Sequence, residues 1–375
     1  MIPYSTQLID DEDIQAVVDV LKSPFITQGK KVEEFENQLC FYTGAKYAVS
    51  FNSATSALYG AYSSCGLGEG DEVITTPISF VATSNMLVEI GAKPIWCDVK
   101  LDGNIDETRI EKLITSKTKA IVPVHFSGKP VELETIQKIA NKHNLLVIED
   151  AAHAFGSSIK GKKIGGLSDM TIFSFHAIKP ITTGEGGAVL TNNKEYADKL
   201  RLFRSHGMIK KALYNSDMVS MGHNFRLTEI AAALGLSQIK KIDTFIQKRN
   251  KIASYYDERF KDEKLFTTIE IDKENISARH LYPIVFIPQL QCPKEDIFKE
   301  LQENGIGVQV HYKPIYKNSF YIKKFGKESC SVANDFYLSE LSIPCQHKMS
   351  LDDARFVADT LIEIVNKHKN RGCIF

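Results

Sequence analysis

Two residues at the ends of neighbouring strand candidates have types that do chemistry together. In 171-TIFSFHAIKPITTGEGGAVLT-191 a single amine, Lys179, sits on a loop between two β-prone runs, just before Pro180. In 145-LLVIED-150 an apolar run ends in acids and continues as 151-AAHAFG-156. Alone, Asp150 reads as a turn or helix cap. Lys179 is harder to explain in ordinary terms, because a lysine on a short turn between buried strands costs desolvation unless a partner or a reaction uses it. Together they match one need: pyridoxal phosphate takes a lysine for its Schiff base and an acid to keep its pyridine nitrogen protonated. The same chemistry needs a phosphate cradle. Small hydroxyl residues in 52-NSATSAL-58, leading from a strand into a helix, and Ser174, five residues before the lysine, are the candidates. A helix N-terminus binds phosphate through its free N–H groups and dipole. A plain N-cap explains 53-SATS-56 as well, and the two roles are compatible.

The elements that must carry these groups are legible in outline. Helical patterns at 10–22, 31–44, 55–66, 79–91 and 131–144 alternate with β-rich runs at 47–52, 71–77, 93–99, 119–126, 145–150 and 170–175. Such alternation predicts an α/β fold with a mainly parallel central sheet flanked by helices. The runs at 119 and 145 are nearly continuous apolar, as for strands buried on both faces, and sites of such sheets lie at the strands' carboxyl ends. After about residue 240 the pattern changes. One long helical segment, 227–260, leads into a mixed tail with a β-rich run at 281–287 and a helix at 350–368. The division expected is an N-terminal segment and large cofactor-binding domain over 1–245, followed by a small α+β domain over 246–375.

Composition excludes several classes. Lys+Arg and Asp+Glu are both 46, so no basic face points to nucleic acid. The chain has no signal sequence and no membrane-length apolar run, and its seven cysteines include no C-x-x-C pair, so neither disulfides nor a zinc site are expected. A reduced cytoplasmic protein that binds no metal is the expectation. The sequon at Asn275 reads as chance. A phosphate loop and H-E-x-x-H are absent, and 66-GLGEG-70 lacks dinucleotide-fingerprint spacing.

In order and spacing, NSATSAL, TTPISFVATSNM, EDAAHAFG, SFHAIKPITTGEGGAV, RSHGM, GHNFRLTEIAAALG and VHYKPIY resemble the DegT-type nucleotide-sugar aminotransferases of fold type I, over essentially the whole chain. Within that family the resemblance is strongest to the pseudaminic acid branch. It implies pyridoxal 5'-phosphate, passing through pyridoxamine 5'-phosphate, on Lys179 as the catalytic residue. It further implies Asp150 at the pyridine nitrogen, His153 near the ring hydroxyl, Phe80 stacked on the ring, and Thr55, Ser56 and Ser174 at the phosphate. Asn224 would reach the site from the neighbouring subunit of a homodimer. Sugar-nucleotide contacts are implied for Tyr4, for Pro24, Phe25, Ile26 and Thr27, for Asn224, and for His311, Tyr312, Lys313 and Pro314. The implied reaction passes the amino group of L-glutamate to C4 of a UDP-linked keto sugar; amination of another nucleotide keto sugar, with other C4 stereochemistry or at C3, is the alternative. Ordinary readings exist for Phe80 as a core residue of an amphipathic helix and for His153 as a structural histidine. His311 and Tyr312 could likewise belong to a packed strand. Sugar dehydratases of the same fold carry histidine where Lys179 stands, and cofactor-sensing regulators carry a DNA-binding domain for which the resemblance, beginning by residue 4, leaves no room.

Overall fold

The computed structural model describes residues 1–287, 290 and 294–371. Its strands are β1 (Tyr47–Phe51), β2 (Glu72–Thr75), β3 (Lys93–Trp96), β4 (Thr118–Val122), β5 (Leu146–Asp150), β6 (Ser158–Ile159), β7 (Lys162–Lys163), β8 (Met170–Ser174), β9 (Gly187–Thr191), β10 (Met208–Ala212), β11 (Asn215–Met218), β12 (Phe266–Thr268), β13 (Tyr282–Phe286) and β14 (Glu340–Ile343). Seven of them form the central sheet, in the order β1-β9-β8-β5-β4-β2-β3. The pairs from β3 across to β8 are parallel, and β9 is antiparallel to both its neighbours. The expected mainly parallel sheet is therefore present, and its antiparallel part is the hairpin whose connection carries Lys179.

Period-two alternation sorts the strand residues between two helical layers. After the helices α1 (Asp11–Leu21) and α2 (Lys30–Thr43) comes the helix α3 (Ala54–Ser64), which Ile148, Ile172 and Val189 face with its Leu58 and Ala61. On the other face, Val147 and Ile121 pack with Ile136 and Ala140 of the helix Leu133–His143, while Phe173, Phe175 and Leu190 join a third cluster around Phe35 and Phe155. β4 stops at Val122 rather than reaching 126, because Pro123 has no N–H to donate to the ladder; a 3-10 turn, Phe126–Gly128, follows.

Two helices begin or end elsewhere than expected. The stretch 79–91 is helical only over Ala82–Glu89, so Phe80 lies ahead of the helix and is 60% exposed. It is not a core residue. The long segment at 227–260 is two helices, Glu229–Ile239 and Ile242–Phe260. No glycine or proline breaks it; tertiary contacts override propensity. Lys241, at the joint, is held by Asp10 (2.7 Å) and Asp13 (2.8 Å). The second helix serves two cores: Ile242, Phe245 and Ile246 pack in the Phe35 cluster, and Ile252, Tyr256 and Phe260 pack with the three-stranded antiparallel sheet β12-β13-β14 and the helix Leu351–Arg371.

The chain's first residues join these two layers. Ile2 accepts a hydrogen bond from Gly307 N–H and donates one to the Gly305 carbonyl, both 2.8 Å, and the Ser5 hydroxyl donates to the Ile178 carbonyl (3.1 Å), one residue before Lys179.

Candidate active site

A cavity of about 650 Å³ opens where β5 and β8 end, a size suited to a cofactor with part of its substrate. Lys179, Asp150, Ser174, Thr55, Phe80, His153, Tyr4, His311 and Tyr312 all line it. Its walls come from the central sheet, from the N-terminal segment, and from 309–312 beside the small sheet.

Asp150 is the last residue of β5 and is buried. Its Oδ2 accepts from the Thr83 hydroxyl (2.6 Å), its Oδ1 from the Ala152 N–H (3.1 Å), and the Ser79 hydroxyl lies 2.8 Å from Thr83 Oγ1. The carboxyl is thus fixed in orientation by groups that only donate to it, an arrangement suited to holding a cation or a protonated nitrogen. Thr83 and Ser79 fall within TTPISFVATSNM, but nothing in that motif says which hydroxyl turns toward the acid.

Lys179 is half-buried, and its Nζ lies 3.2 Å from His280 Nε2. Burial pushes the amine down from 10.5 to about 7; Asp150 opposes that shift and the guanidinium of Arg249 adds to it. Near neutrality the amine is half unprotonated, the condition for a proton carrier. Burial, with the Lys179 charge, keeps the rings of His153 and His280 well below the ordinary histidine range, so both are neutral. His153 Nε2 is hydrogen bonded to the Tyr312 hydroxyl (3.1 Å), the His153 and His280 rings stand 4.4 Å apart, and the Nδ1 atom of each is buried without a partner among the described residues. His280, which no motif flagged, comes from the segment just before β13.

The other end of the cavity is an anion cradle. Ser53 caps α3 by accepting from the Ser56 N–H. The N–H groups of Ala54 and Thr55 have no acceptor among the described residues, as first-turn donors do when a ligand is meant to take them. Ser174 sits opposite on β8. The start of β9 lies so close to this helix end that a Cβ on Gly187 would stand 2.6 Å from Ala54 N and Cα; glycine permits that approach. Ser56, expected in the cradle, does not line the cavity: its hydroxyl is committed to Asn52 Oδ1 (2.5 Å) and Ser53. Ser53 lines it instead.

Other expected residues stand away from this cavity. Pro24, Phe25, Ile26 and Thr27 are exposed and do not line it, nor do exposed Lys313 and buried Pro314. Asn224 is exposed, in an isolated bridge to Ser205.

The DegT/DnrJ/EryC1/StrS aminotransferase family matches residues 7–362. A Campylobacter jejuni protein named UDP-4-amino-4,6-dideoxy-N-acetyl-beta-L-altrosamine transaminase is 50% identical over 376 residues, covering 100% of both chains. Among solved structures, Helicobacter pylori PseC, an aminotransferase involved in the biosynthesis of pseudaminic acid, superposes with a TM-score of 0.94 at 46% identity, covering 98% of this chain and 99% of the other. The PLP form of the putative sugar aminotransferase Spr1654 from Streptococcus pneumoniae gives 0.92 at 30% identity, covering 98% and 99%. No helix among the described residues is long and apolar enough to cross a membrane.

Proposed function

The chain belongs to the DegT/DnrJ/EryC1/StrS aminotransferase family, and on that premise we propose that it transfers the amino group of L-glutamate to C4 of a UDP-linked 4-keto-6-deoxy-N-acetylhexosamine, a step of pseudaminic acid type sugar synthesis. The cofactor of this reading is pyridoxal 5'-phosphate. The observation that carries it is the convergence in one cavity of a half-buried amine, a carboxyl approached only by donors, and a helix N-terminus with two N–H groups unused among the described residues. Those groups fit the cofactor at its aldehyde, ring nitrogen and phosphate respectively. The buried, unpartnered Nδ1 of His153 fits a ring hydroxyl. When bound, the cofactor supplies an electrophilic carbonyl and an electron sink.

The protein's own part follows from the geometry. Asp150, held by Thr83 and the Ala152 N–H, would face the ring nitrogen and keep it protonated. Ala54, Thr55 and Ser174 would hold the phosphate, and Phe80 would cover the ring from the cavity mouth. Lys179 is the base placed to take a proton from the donor's α-carbon and to return it later; its amine, brought to about 7, exchanges protons at little cost near neutral pH. The neutral rings of His153 and His280 do not compete for that proton. Tyr4, His311 and Tyr312 form the wall left for the sugar. We place a domain boundary near 245/246, where the helix Ile242–Phe260 passes from one core to the other, and the protein's work in the cytoplasm.

Purified protein, L-glutamate and a panel of UDP-linked and dTDP-linked keto sugars test the substrate, with products read by NMR. A new amine at C4 of the UDP-linked 4-keto sugar is expected. Amination at C3, or of dTDP sugars alone, would redirect the assignment to another nucleotide sugar, and no amination of any keto sugar would remove it.

The partner of this reading is a second copy of the chain, with Asn224 of one subunit completing the phosphate site of the other. Its support is the exposure of Asn224 beside a hairpin, β10 and β11, whose Leu213 and Tyr214 are 93% and 94% exposed and carry apolar surface suited to an interface. Asn224→Asp would set a carboxylate against the phosphate and inactivate both sites of a homodimer. Refolded together, Lys179→Ala and Asn224→Asp chains should regain activity, because a mixed dimer holds one intact site. If mixed dimers form and stay inactive, Asn224 serves its own chain or none.

A further inference from the structure

A buried polar chain runs from the cavity wall into the small sheet. His311, Glu340 and Ser342 are 5%, 0% and 1% exposed. The His311 N–H donates to Glu340 Oε2 (2.7 Å), Ser342 Oγ lies 2.6 Å from Glu340 Oε1, and His311 Nδ1 lies 2.9 Å from the same Ser342 Oγ. One hydroxyl proton serves two neighbours, so its direction decides the rest. With Glu340 ionised, Ser342 must donate to the carboxylate, because two oxygens 2.6 Å apart need a proton between them. Ser342 Oγ then accepts, and His311 must hold its proton on Nδ1. Burial and the Lys179 amine keep His311 neutral, lowered to about 3, so the ring has one proton only and Nε2 is a bare lone pair. Nε2 has no hydrogen-bond partner among the described residues, and His311 lines the cavity.

We propose that Glu340 and Ser342 set the hydrogen-bond polarity of His311, so that its Nε2 accepts from a substrate hydroxyl or amide N–H and discriminates against an oxygen acceptor at that place. The inference rests on the reading of this cavity as the keto-sugar site, where a sugar hydroxyl or an acetamido N–H supplies the donor. Reversal is built in. A protonated Glu340 carries its proton on Oε1, because Oε2 already accepts the His311 N–H. It then donates to Ser342, which donates to Nδ1, and Nε2 becomes a donor. The charged groups facing Glu340 are few: Lys294, whose Nζ also bonds the Tyr337 carbonyl, favours ionisation, while burial raises the acid to about 8. Tyr312 and, around His311, Tyr4 and Lys179 complete the surroundings. The acceptor setting is therefore the high-pH one, and it gives way as pH falls through about 8.

Glu340→Gln separates the settings at one position. Its amide oxygen must take the His311 N–H, so its NH₂ donates to Ser342, and Nε2 of His311 becomes protonated at every pH. The experiment is histidine ¹⁵N NMR of the whole protein, with the His311 signal assigned by its loss in His311→Gln. Above about 8 wild type should show an Nδ1-protonated ring and Glu340→Gln an Nε2-protonated one; the same tautomer in both overturns the proposal. Should that variant not fold, wild type titrated down through about 8 must show the same reversal, and Ser342→Ala must abolish its pH dependence. In turnover above about pH 8, Glu340→Gln should raise KM for the keto sugar roughly tenfold, the worth of one mismatched hydrogen bond, and leave the half-reaction with glutamate unchanged; below it the two KM values should converge. A reversed tautomer with unchanged KM overturns the selection of a sugar donor by His311. A protein that aminates no keto sugar overturns the proposed function and leaves the tautomer result standing.

Discussion

Lys179→Ala is expected to fold, to bind pyridoxal phosphate without a covalent link, and to lose turnover by at least about 10⁴-fold, since general base and tether go together. In wild type, borohydride should fix the cofactor on the peptide that holds Lys179; fixation elsewhere, or turnover in the variant near the wild-type rate, would sink the assignment. A second readout needs no cofactor. The folded amine titrates at about 7 and the unfolded one at its ordinary 10.5, so the folded chain binds fewer protons between those values and gains stability as pH rises through them. Below about 7 the desolvated charge opposes folding in full. The cofactor-free variant should therefore be more stable than cofactor-free wild type by a few kcal/mol at the low end of this window, and the difference should vanish toward 10.5. A difference that stays flat across the window would show that the amine is not desolvated as described.

Asp150→Asn should cost roughly 10²- to 10³-fold in the half-reaction with glutamate, the size of effect seen when a buried charge loses its partner. The substitution is mild in shape. The Asn oxygen can keep the Ala152 N–H, its NH₂ can donate to Thr83 Oγ1, and Thr83 can turn its own proton to Ser79 or to the Phe80 carbonyl, 3.3 Å away. Charge is what disappears. Because Asp150 raises the Lys179 pKa, the variant's lysine should also titrate below about 7, a change that damage to packing alone would not produce. Single-turnover rates matching wild type would make the acid structural.

What the sequence made legible here was local. Asp150 and Ser174 stand at strand ends and Lys179 in the connection that follows the second, and a strand end can be read from an apolar run and the residue that stops it. The α3 cradle was legible because a cap and a first turn are adjacent in the chain, although which serine turns inward was not: Ser56 spends its hydroxyl on Asn52, and Ser53 is left at the cavity. Partners brought by distant pairing left no mark. His280 reaches Lys179 across 101 residues of chain, and Ser342 reaches His311 across 31, only because β13 and β14 pair beside the cavity. The break at Lys241 was equally hidden. No helix breaker marks it, and the lysine there pairs with two aspartates more than two hundred residues earlier.

The contacts of residues 2–5 bear on how far the protein can move. Ile2 is bonded to Gly305 and Gly307 on one layer, and three residues later Ser5 is bonded to the loop that presents Lys179 on the other. So short a strap has almost no slack, about 3.5 Å per residue when fully extended. The small sheet cannot swing from the lysine loop by more than a fraction of that reach while both ends hold. Such a site is a fixed vice rather than a closing jaw. Phe80 stands exposed at the rim of the cavity, and anything fused ahead of Ile2 in the laboratory is anchored beside the Tyr4 wall of the pocket.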